Sequence, residues 1–240
     1  MMDLPRPRRL FFTGTDTDVG KTYVASLAVA ELRHSGRSVA VYKPVASGCE
    51  QVGQERVSGD ATALWEASGR RGTLHHVCPQ RFLAPLAPAS AAAAEGQAVD
   101  DALLLSGLDA VSEGADWVVI EGAGGLLSPL SETQLNSDVA DKLETELVIV
   151  AANRLGVIHQ VLATVLAAKA LGLPVVGVIL NQISERADPS HASNASTIAK
   201  FTSVPLLAEL AFGAQQTGID WTALPQVGKP ELKKVAQAWL

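Results

Sequence analysis

Short apolar segments alternate with longer amphipathic segments along this chain of 240 residues. Six of the apolar segments have the length of a strand buried on both faces, and they cover residues 10–13, 38–42, 117–120, 147–152, 175–180 and 206–210. Between them, residues 157–171 repeat apolar side chains at a four-residue spacing, which predicts a helix. Buried strands that alternate with helices predict right-handed crossovers, so we expect an α/β fold with a mainly parallel, doubly wound sheet.

Composition and charge narrow the class of protein. A hydrophobic fraction of 48% with 18% charged residues favours an ordered globular chain, and we expect one domain over residues 1–240. The net charge of −6 offers no positive field for nucleic acid. No apolar segment is long enough for a membrane span, and the first residues do not resemble a signal peptide. With only two cysteines, the cytoplasm is the expected compartment.

Residues 12–22 join the first predicted strand to a glycine, a lysine and a threonine. Backbone N–H groups of such a turn, followed by a helix N-terminus, bind phosphate; Lys21 can reach the outer phosphates and Thr22 can bind Mg²⁺. Five residues separate Gly14 from Gly20, where the usual P-loop has four. A plain glycine-rich turn with a solvated lysine is the alternative. A strand before the motif and a helix over residues 23–34 favour a nucleoside triphosphate site in a P-loop NTPase-like fold.

Three further polar positions lie where ligands bind in open parallel sheets, at the carboxyl ends of strands. Lys43 and Asn181 each follow a predicted strand, and Glu121 follows another at the place of an acidic Mg²⁺ partner. The alternatives are a surface lysine for Lys43 and an exposed carboxylate for Glu121. Asp60 begins a predicted helix over residues 61–67, where it is either a metal ligand or only an N-cap. Loss of the Lys43 ammonium should cut turnover strongly and leave the fold intact.

Together, residues 14–22, 42–48 and 121–125 resemble dethiobiotin synthetase, the ATP-dependent ring-closing enzyme family of biotin synthesis. The resemblance covers most of the chain, thins after about residue 184, and includes the five-residue gap of the phosphate loop. It implies a homodimeric ligase with Mg²⁺ as cofactor and ATP as cosubstrate. In that family CO₂ adds to an amine of 7,8-diaminononanoate to give a carbamate. The carbamate is phosphorylated to a carbamic-phosphoric anhydride, and ring closure gives dethiobiotin, ADP and phosphate.

The resemblance also implies residue roles. The implied catalytic residues are Lys43, Lys21 and Thr17. The implied nucleotide-binding residues are Asp18, Val19, Gly20, Lys21, Thr22, Glu121, Gly122, Gly124, Asn181, Pro205 and Leu207, with residues 205–209 as the loop beside the base. The implied ligands of Mg²⁺ are Thr22, Asp60 and Glu121. The implied substrate-binding residues are Thr17, Lys43, Ser47, Gly124, Leu155, Gly156 and Val157.

The last three of these residues are expected to act from the partner subunit, where they hold the carboxylate tail of the substrate at a helix start. Exposed N–H groups and the positive end of a helix dipole suit a carboxylate, and Arg154 is close in sequence.

Two other functions fit the same fold. A ParA- or MinD-like ATPase switch is one, but that class normally carries an extra lysine early in its phosphate loop, and no lysine precedes Lys21. The second is an amide-forming ligase related to CTP or cobyrinic acid synthesis. Those ligases append a glutaminase domain, for which we expect no room in 240 residues.

Overall fold

The computed structural model describes residues 6–229, so both ends of the predicted domain, residues 1–5 and 230–240, lie outside the described residues. The strands are β1 (Arg8–Gly14), β2 (Val39–Tyr42), β3 (Val45–Ala46), β4 (Glu50–Val52), β5 (Glu55–Val57), β6 (Gln80–Arg81), β7 (Trp117–Gly125), β8 (Glu146–Ala152), β9 (Val175–Asn181) and β10 (Leu206–Leu210). The helices are α1 (Lys21–His34), α2 (Gly59–Ala67), α3 (Leu74–Val77), α4 (Pro88–Ala94), α5 (Asp101–Ser106), α6 (Asp109–Ser112), α7 (Asn136–Lys142), α8 (Val157–Ala170) and α9 (His191–Phe201).

The main sheet confirms the predicted doubly wound architecture. Its six strands lie in the order β10-β9-β8-β1-β7-β2, and every pairing between neighbours is parallel. All six segments predicted as strands are strands of this sheet. The predicted end of β7 at Ile120 is wrong, because pairing with β1 resumes at Gly14 and Gly125 after a register shift. Glu121 therefore lies inside a strand.

Two hydrophobic clusters pack the sheet between helices. Every residue of β8 is buried, and so are the central residues of β1, as expected for strands covered on both faces. Helix α8 buries Val157, Val161 and Val165 against β8 and β9. The predicted helix ends within one residue of the observed end, where Gly172 adopts a left-handed conformation (φ 70°).

Parallel pairing brings the carboxyl ends of the strands to one edge of the sheet. The phosphate loop follows β1 there, Lys43 follows β2, and Asn153 and Gln182 follow β8 and β9. The fold thus places the polar strand ends side by side, in the crevice position of open α/β sheets. Among the described residues, none of the helices combines the length and apolar character needed to cross a membrane.

Candidate active site

The phosphate loop is a tight turn in which two glycines are required by space. A Cβ atom on Gly14 would lie 2.5 Å from the carbonyl oxygen of Asp16. A Cβ atom on Gly20 would lie 2.2 Å from Nδ2 of Asn181, and Gly20 has a φ of 85°. Gly20 is also the N-cap of α1 and has no side chain to satisfy the first N–H groups of the helix. Those groups remain available to an anion.

Lys21 points back over this loop. Its ammonium donates a hydrogen bond to the carbonyl of Asp16 at 3.1 Å, and the residue is buried. Burial lowers the pKa of Lys21 below its ordinary value and nearby Lys43 lowers it further, while Glu121 acts in the opposite direction. Lys21 is therefore a poorly hydrated cation with few partners in the chain, which favours an interaction with phosphate oxygens.

A cluster of Lys43, Asp60 and Glu121, which we call the ion-pair cluster, lies beside the loop. Nζ of Lys43 lies 2.8 Å from Oε1 of Glu121 and 3.1 Å from Oδ2 of Asp60. The same Oε1 accepts a hydrogen bond from the Thr22 hydroxyl at 2.8 Å. Glu121 is 0% exposed and Lys43 is 3% exposed. The cluster therefore joins α1, α2, β7 and the end of β2 through two buried charges, Lys43 and Glu121, and the exposed carboxylate of Asp60.

The charges of this cluster stabilise one another. Burial alone would lower the pKa of Lys43, but Glu121 and Asp60 outweigh it and hold the pKa above its ordinary value. Partial burial would raise the pKa of Asp60, but the Lys43 ammonium and the Thr22 hydroxyl hold it below its usual range. Lys43 thus remains an ammonium and Asp60 a carboxylate at neutral pH.

This geometry contradicts the alternative interpretations that the sequence left open for Lys43, Glu121 and Asp60. Lys43 is not a surface lysine, and Glu121 is not an exposed carboxylate. Asp60 is not the N-cap of α2, because Ser58 occupies that position and its hydroxyl accepts from the N–H of Ala61 at 3.2 Å.

The oxygen atoms of this site suit a small hard cation. Oε2 of Glu121 is buried and has no hydrogen-bond partner among the residues that the structure describes. Asp60 and Thr22 offer further oxygens close to it. Over residues 6–229, no group of three or more histidine, cysteine, aspartate or glutamate side chains is placed to hold a metal ion. Mg²⁺ needs only one or two carboxylates when substrate and water supply its other ligands, so the residues present fit it.

A cleft of about 840 Å³ opens over these groups and contains most of the predicted site. The predicted residues that line it are Thr17, Asp18, Gly20, Lys21, Thr22, Lys43, Ser47, Asp60, Glu121, Gly122 and Gly124. Val19, within the phosphate loop, is buried. Asn181 lies behind the loop and donates from Nδ2 to the carbonyl of Val19 at 3.1 Å. The fold therefore brings the phosphate loop, the ion-pair cluster and the predicted substrate residue Ser47 together.

Pro205 and Leu207 require a correction, because they do not lie at this edge. In the parallel pair of β9 and β10, Leu210 is opposite Asn181, so Pro205 precedes β10 at the amino end of the sheet. The carbonyl of Pro205 accepts from the N–H of Val178 at 2.9 Å, and Leu207 packs against Gly177. Both residues therefore support the sheet.

The segment from residue 211 follows β10 at the correct edge and was missed. Its position is fixed by the N–H of Gln182, which donates to the carbonyl of Leu210 at 2.9 Å. The rule that ligands bind beyond carboxyl strand ends, applied to the predicted strand at residues 206–210, would have found this segment.

Leu155, Gly156 and Val157 lie at the start of α8, outside the cleft over Lys43. Gly156 is the N-cap with a φ of 95°, and Leu155 is 81% exposed. Beside them is a second cavity of about 540 Å³, lined by Asn153, Arg154, Gln182, Ile183, Ser184, Arg186, Ala187, Asp188 and Pro189. The N–H of Val157 already donates to the carbonyl of Arg154 at 3.1 Å.

Asp188 lies at the same helix start. The hydroxyl and N–H of Ser190 hold the pKa of Asp188 below its ordinary value, and the N–H of Leu155 contributes in the same direction. A carboxylate of the same chain thus lies close to the start of α8.

Comparison with known proteins places this arrangement in a family. Residues 8–217 match the family described as AAA domain. An ATP-dependent dethiobiotin synthetase BioD of Rhodopirellula baltica is 46% identical over 211 residues, which cover 83% of this chain and 82% of that protein. The chain belongs to the dethiobiotin synthetase family. A second relative of that name, from Bacillus subtilis strain 168, is 38% identical over 83% of this chain and 85% of its own.

Solved structures relate the dethiobiotin synthetase fold to a wider group of nucleotide-binding proteins. FtsY of Elizabethkingia anophelis in complex with GDP matches with a TM-score of 0.55 and 15% identity over 99% of this chain and 65% of its own. MinD of Pyrococcus horikoshii, complexed with Mg-ADP, has a TM-score of 0.50 and 18% identity over 85% of this chain and 81% of its own. The chain spans about two thirds of the matched FtsY chains. These likenesses show a shared fold, and the MinD-like alternative has only this fold-level relation.

Proposed function

We propose that this chain is an ATP-dependent cyclo-ligase that converts 7,8-diaminononanoate and CO₂ into dethiobiotin, with release of ADP and phosphate. The observation that carries the proposal is the position of the Lys43 ammonium. It is buried, paired with Glu121, and lines the same cleft as Lys21 and the phosphate loop. A cation between a triphosphate site and an open cleft suits the transfer of a phosphoryl group to an anionic acceptor.

The proposed reaction begins when CO₂ forms a carbamate on one amine of the substrate. A carbamate oxygen attacks the γ-phosphate and displaces ADP, and the second amine then closes the ring on the mixed anhydride and expels phosphate. Negative charge collects between Lys21 and Lys43, which stabilise it, and Thr17 and Ser47 orient the substrate from the cleft wall.

Mg²⁺ is the cofactor that we propose, held by Thr22, Asp60 and Glu121. When bound, the ion neutralises charge on the β- and γ-phosphates. Because Lys43 pairs with both carboxylates, the chain itself sets the positions of these ligands.

We propose that the nucleotide base lies near Asn181 and the segment that begins at residue 211. Asn181 touches the phosphate loop through Val19 and keeps Oδ1 without a partner among the described residues. An amide acceptor next to the loop suits an amino group on the base.

We also propose a single-domain, cytoplasmic homodimer in which the substrate tail crosses to the start of α8 in the partner subunit. Two observations support the second copy. Leu155 is almost fully exposed beside that helix start, and Leu166 on the same helix is 37% exposed. A leucine that precedes the helix and another on its surface would both be covered if a second copy of the chain packed along α8. The cysteines, Cys49 and Cys78, are free and buried, which suits a reducing compartment.

Release of phosphate by the purified chain, with ATP, Mg²⁺ and bicarbonate present, tests this proposal. Phosphate should appear only when 7,8-diaminononanoate is added, together with an equal amount of dethiobiotin detected by mass spectrometry. The matched control omits the diamine. Equal release with and without the diamine would contradict the proposal and favour an ATPase switch.

A further inference from the structure

The last third of β7 has an irregular backbone that forms one wall of the cleft. Phe12 is opposite Glu121 and Gly14 is opposite Gly125, so the single residue Thr13 faces three residues, 122–124. Such a bulge interrupts the ladder of hydrogen bonds between strands and re-aims the chain. Gly122, Ala123 and Gly124 of the bulge all line the cleft.

A buried amide replaces the missing hydrogen bonds of this bulge. Oδ1 of Asn136 accepts from the N–H of Ala123 at 3.2 Å, and its Nδ2 lies 2.7 Å from the carbonyl oxygen of the same residue. Nδ2 also lies 2.8 Å from the carbonyl oxygen of Gly125 and 3.2 Å from that of Ser128. Asn136 is 0% exposed. One side chain therefore satisfies both backbone groups of the central bulge residue and ties them to the loop that follows.

Asn136 is itself firmly placed. It is the first residue of α7, and its N–H donates to the carbonyl of Ser128 at 3.1 Å. The carboxylate of Asp138 accepts from the N–H of Leu135 at 2.8 Å and fixes the start of the helix. Oδ1 of Asn136 also fills the space next to Gly122, where a Cβ atom would lie only 2.3 Å away. The amide and the glycine thus form one close contact at the cleft wall.

We infer that Asn136 is a positioning residue for the reaction, acting through the bulge at residues 122–124. It does not line the cleft. Its amide holds the backbone that follows Glu121. It thereby fixes the position of the cleft wall against which phosphates and substrate are aligned. This inference deepens the proposed function and rests on it, because alignment is measured through turnover. A small shift of a cleft wall is enough to lower turnover strongly.

The test compares two substitutions of a buried amide by a carboxylate. Asn136→Asp keeps the shape but removes the amide donor beside three carbonyls. Gln80→Glu is the matched control, because buried Gln80, in β6, ties the start of α5 through two bonds to the backbone of Asp100, at 3.1 and 2.7 Å, and does not contact the bulge. With diamine, bicarbonate, Mg²⁺ and ATP saturating, kcat should fall about tenfold or more in Asn136→Asp and less than twofold in Gln80→Glu. The melting temperature should fall by a similar amount in both variants.

Equal losses of kcat in the two variants, or an unchanged kcat in Asn136→Asp, would overturn the inference. If Asn136→Asp does not fold, Asn136→Ser removes the same bonds without adding charge. In Asn136→Ser, amide hydrogen exchange at residues 121–125 should become faster. In Gln80→Glu, exchange at these residues should stay at the wild-type rate. Unchanged exchange in Asn136→Ser would also overturn the inference. Amide hydrogen exchange is measured without substrate, so its outcome does not depend on the proposed function. A wild-type chain that shows no diamine-dependent turnover would contradict the proposed function and leave the inference about Asn136 to the exchange measurement. The two failures are therefore distinguishable.

Discussion

The ion-pair cluster and the start of α8 are both at the carboxyl edge of the sheet, but they differ in burial and in how their groups are paired. The cluster is a set of opposite charges, two of them fully or almost fully buried, joined by contacts of 2.8 and 3.1 Å. The start of α8 presents Leu155 to solvent and has a left-handed glycine as its cap. The buried charges of the cluster have partners of opposite charge within the described chain, whereas the side chain of Leu155 is left to solvent.

This difference indicates how the proposed active site is divided between two subunits. A buried charge requires a partner, so the cluster must form whenever the chain folds, and it is complete in one subunit. An exposed leucine needs no partner for the chain to fold. We propose that this leucine beside a helix start contacts the substrate tail and a second copy of the chain.

Lys43→Ala should have the largest effect, because it removes the central cation of the ion-pair cluster. We expect kcat to fall by about a hundredfold or more, since a cation beside developing negative charge is lost. Contrary to the expectation from sequence, the fold should also suffer: Glu121 would be left as an uncompensated buried charge, which costs ~3–5 kcal/mol of unfolding free energy. Turnover and urea denaturation measure the two effects.

The exposed lysine Lys200 provides the control for that variant. Lys200→Ala should leave both turnover and stability at the wild-type level. A Lys43→Ala variant with normal stability would show that the buried carboxylate of Glu121 does not need Lys43 as its partner.

Leu155→Asp should have an intermediate effect, confined to substrate binding. A like charge next to the proposed tail site should raise the KM for the diamine about tenfold, equivalent to ~1.4 kcal/mol. The free energy of unfolding should change by less than ~0.5 kcal/mol, because the side chain is exposed. Leu171→Asp, at a leucine 48% exposed at the other end of α8, is the control. A normal KM in Leu155→Asp would separate the start of α8 from the substrate.

The smallest effect should be a shift in pH dependence. Because burial lowers the pKa of Lys21, its ammonium is lost at a lower pH than that of a free lysine. The kcat/KM for ATP should therefore fall as pH rises through this lowered pKa, since that ratio reports groups of the free enzyme. Lys43 cannot cause this fall, because its pKa is raised. Lys21→Arg should move the decline to higher pH; an identical profile in this variant would assign the decline to another group.

The sequence predicted the main sheet well because its strands are buried on both faces and are therefore continuous apolar segments. It did not predict where β7 ends, because Gly122, Gly124 and Gly125 carry no apolar signal, and of these only Gly125 pairs again with β1, after the bulge. The ion pair between Lys43 and Glu121 joins positions far apart in sequence, so the burial of these two side chains could not be predicted from the sequence. Asn136 is not part of a recognisable sequence motif, since its proposed role depends on a bulge that only the folded strand creates.

The placement of Pro205 and Leu207 failed for another reason. Their roles came from resemblance in the part of the chain where it is thinnest, and the predicted strand at residues 206–210 already argued against a loop there. The direction of the strand, rather than local similarity, decides which end of β10 faces a ligand.

Subunit mixing tests most directly the claim that the site is completed by a second copy. Lys21→Ala disables the proposed phosphate site and leaves the pair of Lys43 and Glu121 intact, while Leu155→Asp disables only the start of α8. If each site combines the two regions from different subunits, mixed dimers contain one wild-type site. Random exchange should then restore diamine-dependent turnover, at low diamine concentration, to about a quarter of the wild-type value. Turnover that stays at the average of the two separate variants would contradict the claim.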